Sequence, residues 1–144
     1  MKIRITAVVL HEGNVLLVEQ NVDNARGWSL PGGGLEEGET LKEGLVRELI
    51  EETGIAVEVK ELLYVCDYIR GERHVVHMTF LAEASDNEIG ETTPGLDENP
   101  IKSIAYVPID KLQDYGFSKK FKFLIKDGFP GKGSYMGDKS NIGL

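Results

Sequence analysis

Apolar residues along this chain change period several times, and the changes mark its elements. Residues 2–10 and 14–19 are rich in Val, Ile and Leu. Between them Glu12-Gly13-Asn14 carries the polar, glycine-containing signature of a hairpin. Residues 21–39 read as loop, punctuated by Gly27, Pro31, Gly32, Gly33, Gly34 and Gly38. From residue 40 the period is helical: Leu41, Leu45 and Leu49 recur every fourth position, and Val46 and Ile50 widen the stripe. Thr40 with Glu43 three residues on forms a capping box, and Gly54 is a stop, so a helix is predicted over residues 40–53. Residues 55–69 and 73–84 are strand-like, and a polar loop leads to a further strand at 101–107. Pro108 opens a short helix through Leu112. Ser118 caps another, with Phe121, Leu124 and Ile125 on one face and Gly128 at its end.

Neither an internal repeat nor a linker interrupts this pattern. It predicts one strand-rich α/β (α+β) domain over residues 1–130, followed by a Gly-rich, flexible tail at 131–144. No apolar run nears the ~20 residues of a membrane-spanning helix. The alternation of Lys2 and Arg4 with Ile3 and Ile5 reads as a first strand rather than a signal peptide. The lone cysteine, Cys66, permits no internal disulfide, which points to a reducing, cytoplasmic setting and a buried, unreactive thiol.

Charge alters the picture in one place. The formal net charge of -8 argues against nonspecific binding to a nucleic-acid backbone. The charge is concentrated between Glu36 and Glu52, where seven glutamates meet only Lys42 and Arg47, a local net of -5. On a helix Glu48 and Glu52 lie one turn apart, with Glu51 beside them and Arg47 at the border of the acidic sector. Like charges at this spacing destabilise a helix unless a cation sits among them, and hard divalent cations take carboxylate oxygens. Gly44, between Glu48 and Glu51 on the wheel, then leaves room for a close approach. An ordinary solvated acidic face is the alternative on the helix alone.

The residues around the helix decide between these. Positions 33–55, GGLEEGETLKEGLVRELIEETGI, fill the pattern G-x5-E-x7-R-E-U-x-E-E-x-G-U with Gly33, Glu39, Arg47, Glu48, Leu49, Glu51, Glu52, Gly54 and Ile55. With average residue usage such a match arises by chance about once in ten million chains of this length. The segment resembles the Nudix box, and WSLPGG before it and IAYVPIDKL after it extend the likeness loosely over residues 1–115. The resemblance implies a Nudix fold, a mixed β-sheet sandwiched between helices with a loop-helix-loop motif. It also implies hydrolysis of a pyrophosphate bond in a nucleoside diphosphate linked to another moiety, with Mg²⁺ or Mn²⁺. By position, Glu48, Glu52 and Glu51 with the Gly32 carbonyl are the implied metal ligands, Arg47 holds the glutamates, and Glu39 supports the loop. The proton of the attacking water goes to Glu51 or Glu52, or to Asp97 or Glu98 in the later loop, of which Glu98 is the choice.

Outside the box the readings are weaker. Trp28 is a candidate base-stacking residue or a packed anchor for the Pro31 turn. Tyr68, Arg70 and Arg73, around Gly71, are candidate phosphate or ribose contacts. His74 and His77 are separated by an odd spacing on a strand, which places them on opposite faces and argues against a shared metal. The expected partner is a small nucleotide, with a homodimer admitted and no membrane. The family's signatures for ADP-ribose, diadenosine polyphosphate, NADH and coenzyme A are absent, which leaves a nucleoside triphosphate or broad nucleotide specificity as the default. The alternative function is a Nudix-fold module that binds a nucleotide or sugar without turnover. Such relatives typically lose box glutamates, and here all are present.

Overall fold

The computed structural model describes residues 1–20, 27–85 and 101–144. Strand β1 (Lys2–His11) turns through Glu12 and Gly13 into β2 (Asn14–Gln20), with Leu10 opposite Val15 and His11 opposite Asn14, the hairpin that the sequence predicts. The segment expected as loop contains two short strands, β3 (Trp28–Ser29) and β4 (Gly32–Gly34). Helix α1 (Leu41–Thr53) follows. Its N-cap Thr40 accepts from the Glu43 amide while the Glu43 carboxylate accepts from the Thr40 amide, and Gly54 closes it at φ 70°. That left-handed angle is why a glycine stands there. Strands β5 (Val57–Arg70) and β6 (Arg73–Ala84) form the long central hairpin. Then come β7 (Ile101–Pro108), a 3-10 helix (Ile109–Tyr115), and α2 (Lys119–Lys126), capped by the Ser118 hydroxyl.

With β8 (Ser134–Asp138) the strands run in the order β3-β2-β1-β6-β5-β8, with β4 paired to β1 and β7 to β2. β1 is the shared element: it pairs parallel with β6, antiparallel with β4 along its first half, and antiparallel with β2 at its end. Two apolar cores lie on its two sides. Ile5, Ala7 and Val9 pack with Leu45, Leu49, Ile55 and Phe80 under α1. Val8 packs with Leu63, Tyr64, Cys66, Phe121, Ile125 and Ile142 under α2 and the C-terminal segment. Every residue of the run Val15–Val18 in β2 is fully buried, as expected of a strand covered on both faces. No helix among the described residues is long and apolar enough to cross a membrane.

The flexible tail expected at residues 131–144 is not what the structure contains. Ser134–Asp138 form β8, parallel to β5, and a 3-10 helix (Lys139–Ile142) follows with Asp138 as its cap. Long-range bonds fix the segment: the Tyr64 hydroxyl donates to the Pro130 carbonyl at 2.7 Å, and the Gly133 amide to the Leu63 carbonyl at 2.7 Å. The Ser118 hydroxyl donates to the Gly143 carbonyl, and Ile142 is buried. Burying one such side chain favours the docked state by ~1.5–3 kcal/mol, and with these bonds it opposes the freedom that glycines lend the unfolded chain.

Candidate active site

Packing of Leu45 and Leu49 on the sheet turns the opposite edge of α1 toward β4, and the acidic residues line that edge. Arg47 ties them together. Its Nε and Nη2 donate to the two carboxylate oxygens of Glu39 at 2.6 and 2.9 Å, its Nη1 to Glu48 at 3.0 Å and Glu51 at 3.1 Å, and its Nη2 to the Gly34 carbonyl at 3.1 Å. A guanidinium suits this task because its planar fork serves several acceptors at once. The bonds to Glu39 and Glu48 hold Arg47 more firmly protonated than a free arginine. The bond from Arg47 in turn draws the Glu39 carboxyl below the usual carboxylate range.

Glu48 differs from its neighbours. Burial pushes its carboxyl above the ordinary range, against the pull of Arg47. It lies directly over Gly33, where a side chain would collide with its carboxyl group. Glu52 is 5% exposed and accepts the Gly32 amide proton at 2.6 Å. Gly32 has φ 150°, and a Cβ there would overlap the Ile5 carbonyl, so only glycine lets β4 pass so close to β1. Gly44 has a different role from the one expected. It is buried, and a Cβ on it would come within 2.8 Å of both Ile5 and Leu35, so its space is taken by the protein's own core and not by an approaching ligand.

The remaining candidates fall in three places. Trp28 packs edge-on against Tyr115 with ring centroids 5.1 Å apart, as an anchor for the loop. Tyr68 and Arg73 line a cavity of about 210 Å³ with Arg4, His77 and Lys139. Arg70 is exposed, lies 4.4 Å from the centre of the Tyr68 ring and pairs with Asp138 at 3.3 Å. His74 bonds Asp67 at 3.0 Å while His77 is buried near Tyr68, in keeping with the odd spacing of the two. Asp97 and Glu98 lie outside the described residues. Arg4 and Lys139 escaped sequence reading, and His77 was weighed there only as a metal ligand with His74. Arg4 looked like an ordinary alternating strand residue, and Lys139 sits in the supposed tail. Burial drives His77 to a pKa of about 3, helped by Lys139, Arg4 and Arg73, so it is neutral.

A family model for the NUDIX domain matches residues 1–126. The chain belongs to the Nudix family. A MutT-like protein of Streptomyces ambofaciens is 42% identical over 83 residues, which are 58% of this chain and 52% of that protein. The ADP-ribose pyrophosphatase of Methanocaldococcus jannaschii is 28% identical over 123 residues, 78% of this chain and 72% of its own. This chain thus spans about half the length of the first of these curated relatives and under three-quarters of the second. Among solved structures, a MutT NUDIX hydrolase from Burkholderia pseudomallei superposes with a TM-score of 0.64 at 28% identity, over 76% of this chain and 84% of that one.

With the Nudix box placed in the fold, its acids can be weighed as ligands. Among the described residues no three His, Cys, Asp or Glu side chains are grouped as a ready metal cage, and Arg47 Nη1 stands between Glu48 and Glu51. The donor chemistry nonetheless fits a hard divalent cation. Three carboxylates arise from consecutive turns of one helix, Gly32 is bonded to one of them, and no thiolate or imidazole is among these groups.

Proposed function

We propose that this Nudix protein is a divalent-cation-dependent hydrolase that cuts a pyrophosphate bond in a nucleoside triphosphate or in a nucleoside diphosphate joined to another moiety. The observation that carries the reading is the retention of every box glutamate along one edge of α1, cross-tied by Arg47 and pressed against the β4 glycines. The likeness to an ADP-ribose pyrophosphatase supports a nucleotide pyrophosphate as the substrate class.

Mg²⁺ or Mn²⁺ held by Glu48, Glu51, Glu52 and the Gly32 carbonyl would supply charge against the pyrophosphate oxygens and make water more acidic. The chain's own groups do the rest. Arg47 holds Glu48 and Glu51 together and is itself positioned by Glu39, which keeps the acids on one edge of the helix. Glu52 is oriented by the Gly32 amide. The proton of the attacking water passes to a carboxylate, drawn from Glu51, Glu52 and Glu98. Cys66 is buried, and burial pushes its thiol up to about 11, so it takes no part. We place the protein in a reducing cytoplasm on the strength of that single thiol.

A phosphate-release panel with Mg²⁺ tests this, spanning nucleoside triphosphates, ADP-ribose, dinucleoside polyphosphates and nucleotide sugars. Turnover of at least one is expected, abolished by EDTA and restored by Mg²⁺. Tight ligand binding with no turnover across the panel would falsify the hydrolase in favour of a binding module.

A further inference from the structure

Across the sheet from α1, the cavity of about 210 Å³ is lined by Arg4, Tyr68, Arg73, His77 and Lys139. A smaller recess of about 70 Å³ shares Arg4, His77 and Lys139 and adds the hydroxyl residues Thr6, Ser29 and Thr79. Three formal cations thus converge on one pocket that no carboxylate among the described residues lines. Of the acids around it, Asp67 bonds His74 and Tyr135, Asp138 bonds Arg70 and Ser140, and Glu48 on the acidic edge feels the charge of Arg4. The charges that act on His77 are Lys139, Arg4 and Arg73, all of one sign.

Two features say what the pocket takes. Its volume falls below the 300 Å³ or so of a site that encloses a whole small-molecule ligand, and suits a phosphoryl group instead. The Tyr68 ring is also surrounded by cations. Arg70 lies 4.4 Å from its centre, Arg73 5.7 Å and Lys139 5.9 Å, and His77 meets it edge-on at 6.2 Å. Cations already crowd the Tyr68 ring, and an anion there meets a guanidinium and an ammonium as donors. The pocket also borders the acidic edge, because Arg4 is the register partner of Gly34, whose carbonyl accepts from Arg47.

We propose that the pocket of Arg4, Tyr68, Arg73, His77 and Lys139 is an anion subsite that receives a phosphoryl group of the substrate other than the one under attack. This rests on the pyrophosphohydrolase reading for its meaning, though binding at the subsite can be measured without turnover. Lys139 reaches the pocket only because residues 134–142 fold back beside β5, so the C-terminal segment completes the subsite.

Calorimetric titration of metal-free protein with inorganic phosphate, and in parallel with adenosine, tests the assignment. Phosphate is expected to bind wild-type protein, and Arg73→Gln and Lys139→Gln are each expected to weaken it about tenfold, the loss of one charge-assisted contact. Arg73 is exposed, so its variant should fold normally, and Lys132→Gln serves as a surface control without effect. The inference is overturned by absent phosphate binding, by affinity unchanged in both pocket variants, or by adenosine binding that those variants weaken equally. Phosphate binding lost in the variants of a protein that hydrolyses nothing would sink the hydrolase reading and leave the subsite standing.

Discussion

The acidic edge of α1 and the basic pocket across the sheet are both charged, yet they are built in opposite ways. The acids arise within seventeen residues of chain, and one guanidinium cross-ties Glu39, Glu48 and Glu51. The cations come from β1, β6 and the segment after β8, and the scaffold holds them together with no lining carboxylate among the described residues. One site is a local sequence feature that carries its own counter-charge. The other exists only as a product of tertiary structure. The acidic edge needs only α1 and the adjoining β4 glycines, whereas the basic pocket loses Lys139 if the C-terminal segment undocks.

The sharpest way to separate the two is Glu52→Gln. Turnover should fall by about 10²-fold or more, since a group poised to act on developing charge or on a proton is removed. Inorganic phosphate binding at the pocket should be unchanged, and a parallel loss of both would show that the sites are one. Next in size, Arg47→Lys removes the fork that serves three carboxylates while keeping the charge. Divalent-cation affinity, measured by calorimetry, is expected to drop about 10–100-fold, as when an outer-shell partner is lost. Ile142→Ala probes the other side. Truncating this buried anchor should lower unfolding free energy by about 2–4 kcal/mol in urea titrations and weaken phosphate binding, with the helix site intact.

The last effect concerns pH. His77 is held neutral, at about 3, by burial and then by Lys139, Arg4 and Arg73, against about 6.5 when unfolded. Above pH 6.5 it is neutral in both states and stability does not depend on it. Below pH 6.5 the unfolded chain binds a proton that the folded chain refuses, so stability is lost progressively down to about pH 3. In His77→Gln the urea midpoint should fall less steeply between pH 6.5 and 4. An identical slope in the two proteins would mean that the imidazole protonates in the fold.

Legibility in the sequence follows the same division. Helix α1 was readable because its signals are local: the Thr40–Glu43 capping box, the leucines at every fourth position and Gly54 in the left-handed region. The box pattern placed Arg47 and the acids, and the odd spacing of His74 and His77 placed them correctly on opposite faces. What the sequence hid depends on partners far along the chain. Gly32–Gly34 have no strand propensity, and they pair as β4 only because β1 offers an edge and tolerates no Cβ at Gly32. Gly44 read as a gap for a ligand because nothing local reveals that Ile5 and Leu35 fill it. The 131–144 segment reads as loose by composition, and becomes β8 because Tyr64 and Leu63 of β5 accept it through bonds spanning more than sixty residues.

The position of β1 has a consequence for the order in which the molecule assembles. Its parallel partnership with β6 joins residues such as Thr6 and Thr79, 73 positions apart. Closing so long a loop is entropically expensive, whereas the β5–β6 hairpin and α1 can form from neighbours alone. Productive folding should therefore wait on the capture of β1, with the hairpin and helix as the template that receives it. A pulse-labelling hydrogen-exchange experiment should find the amides of β5 and β6 protected before those of β1. The strand that joins the two charged sites would then be the slow step on the way to either.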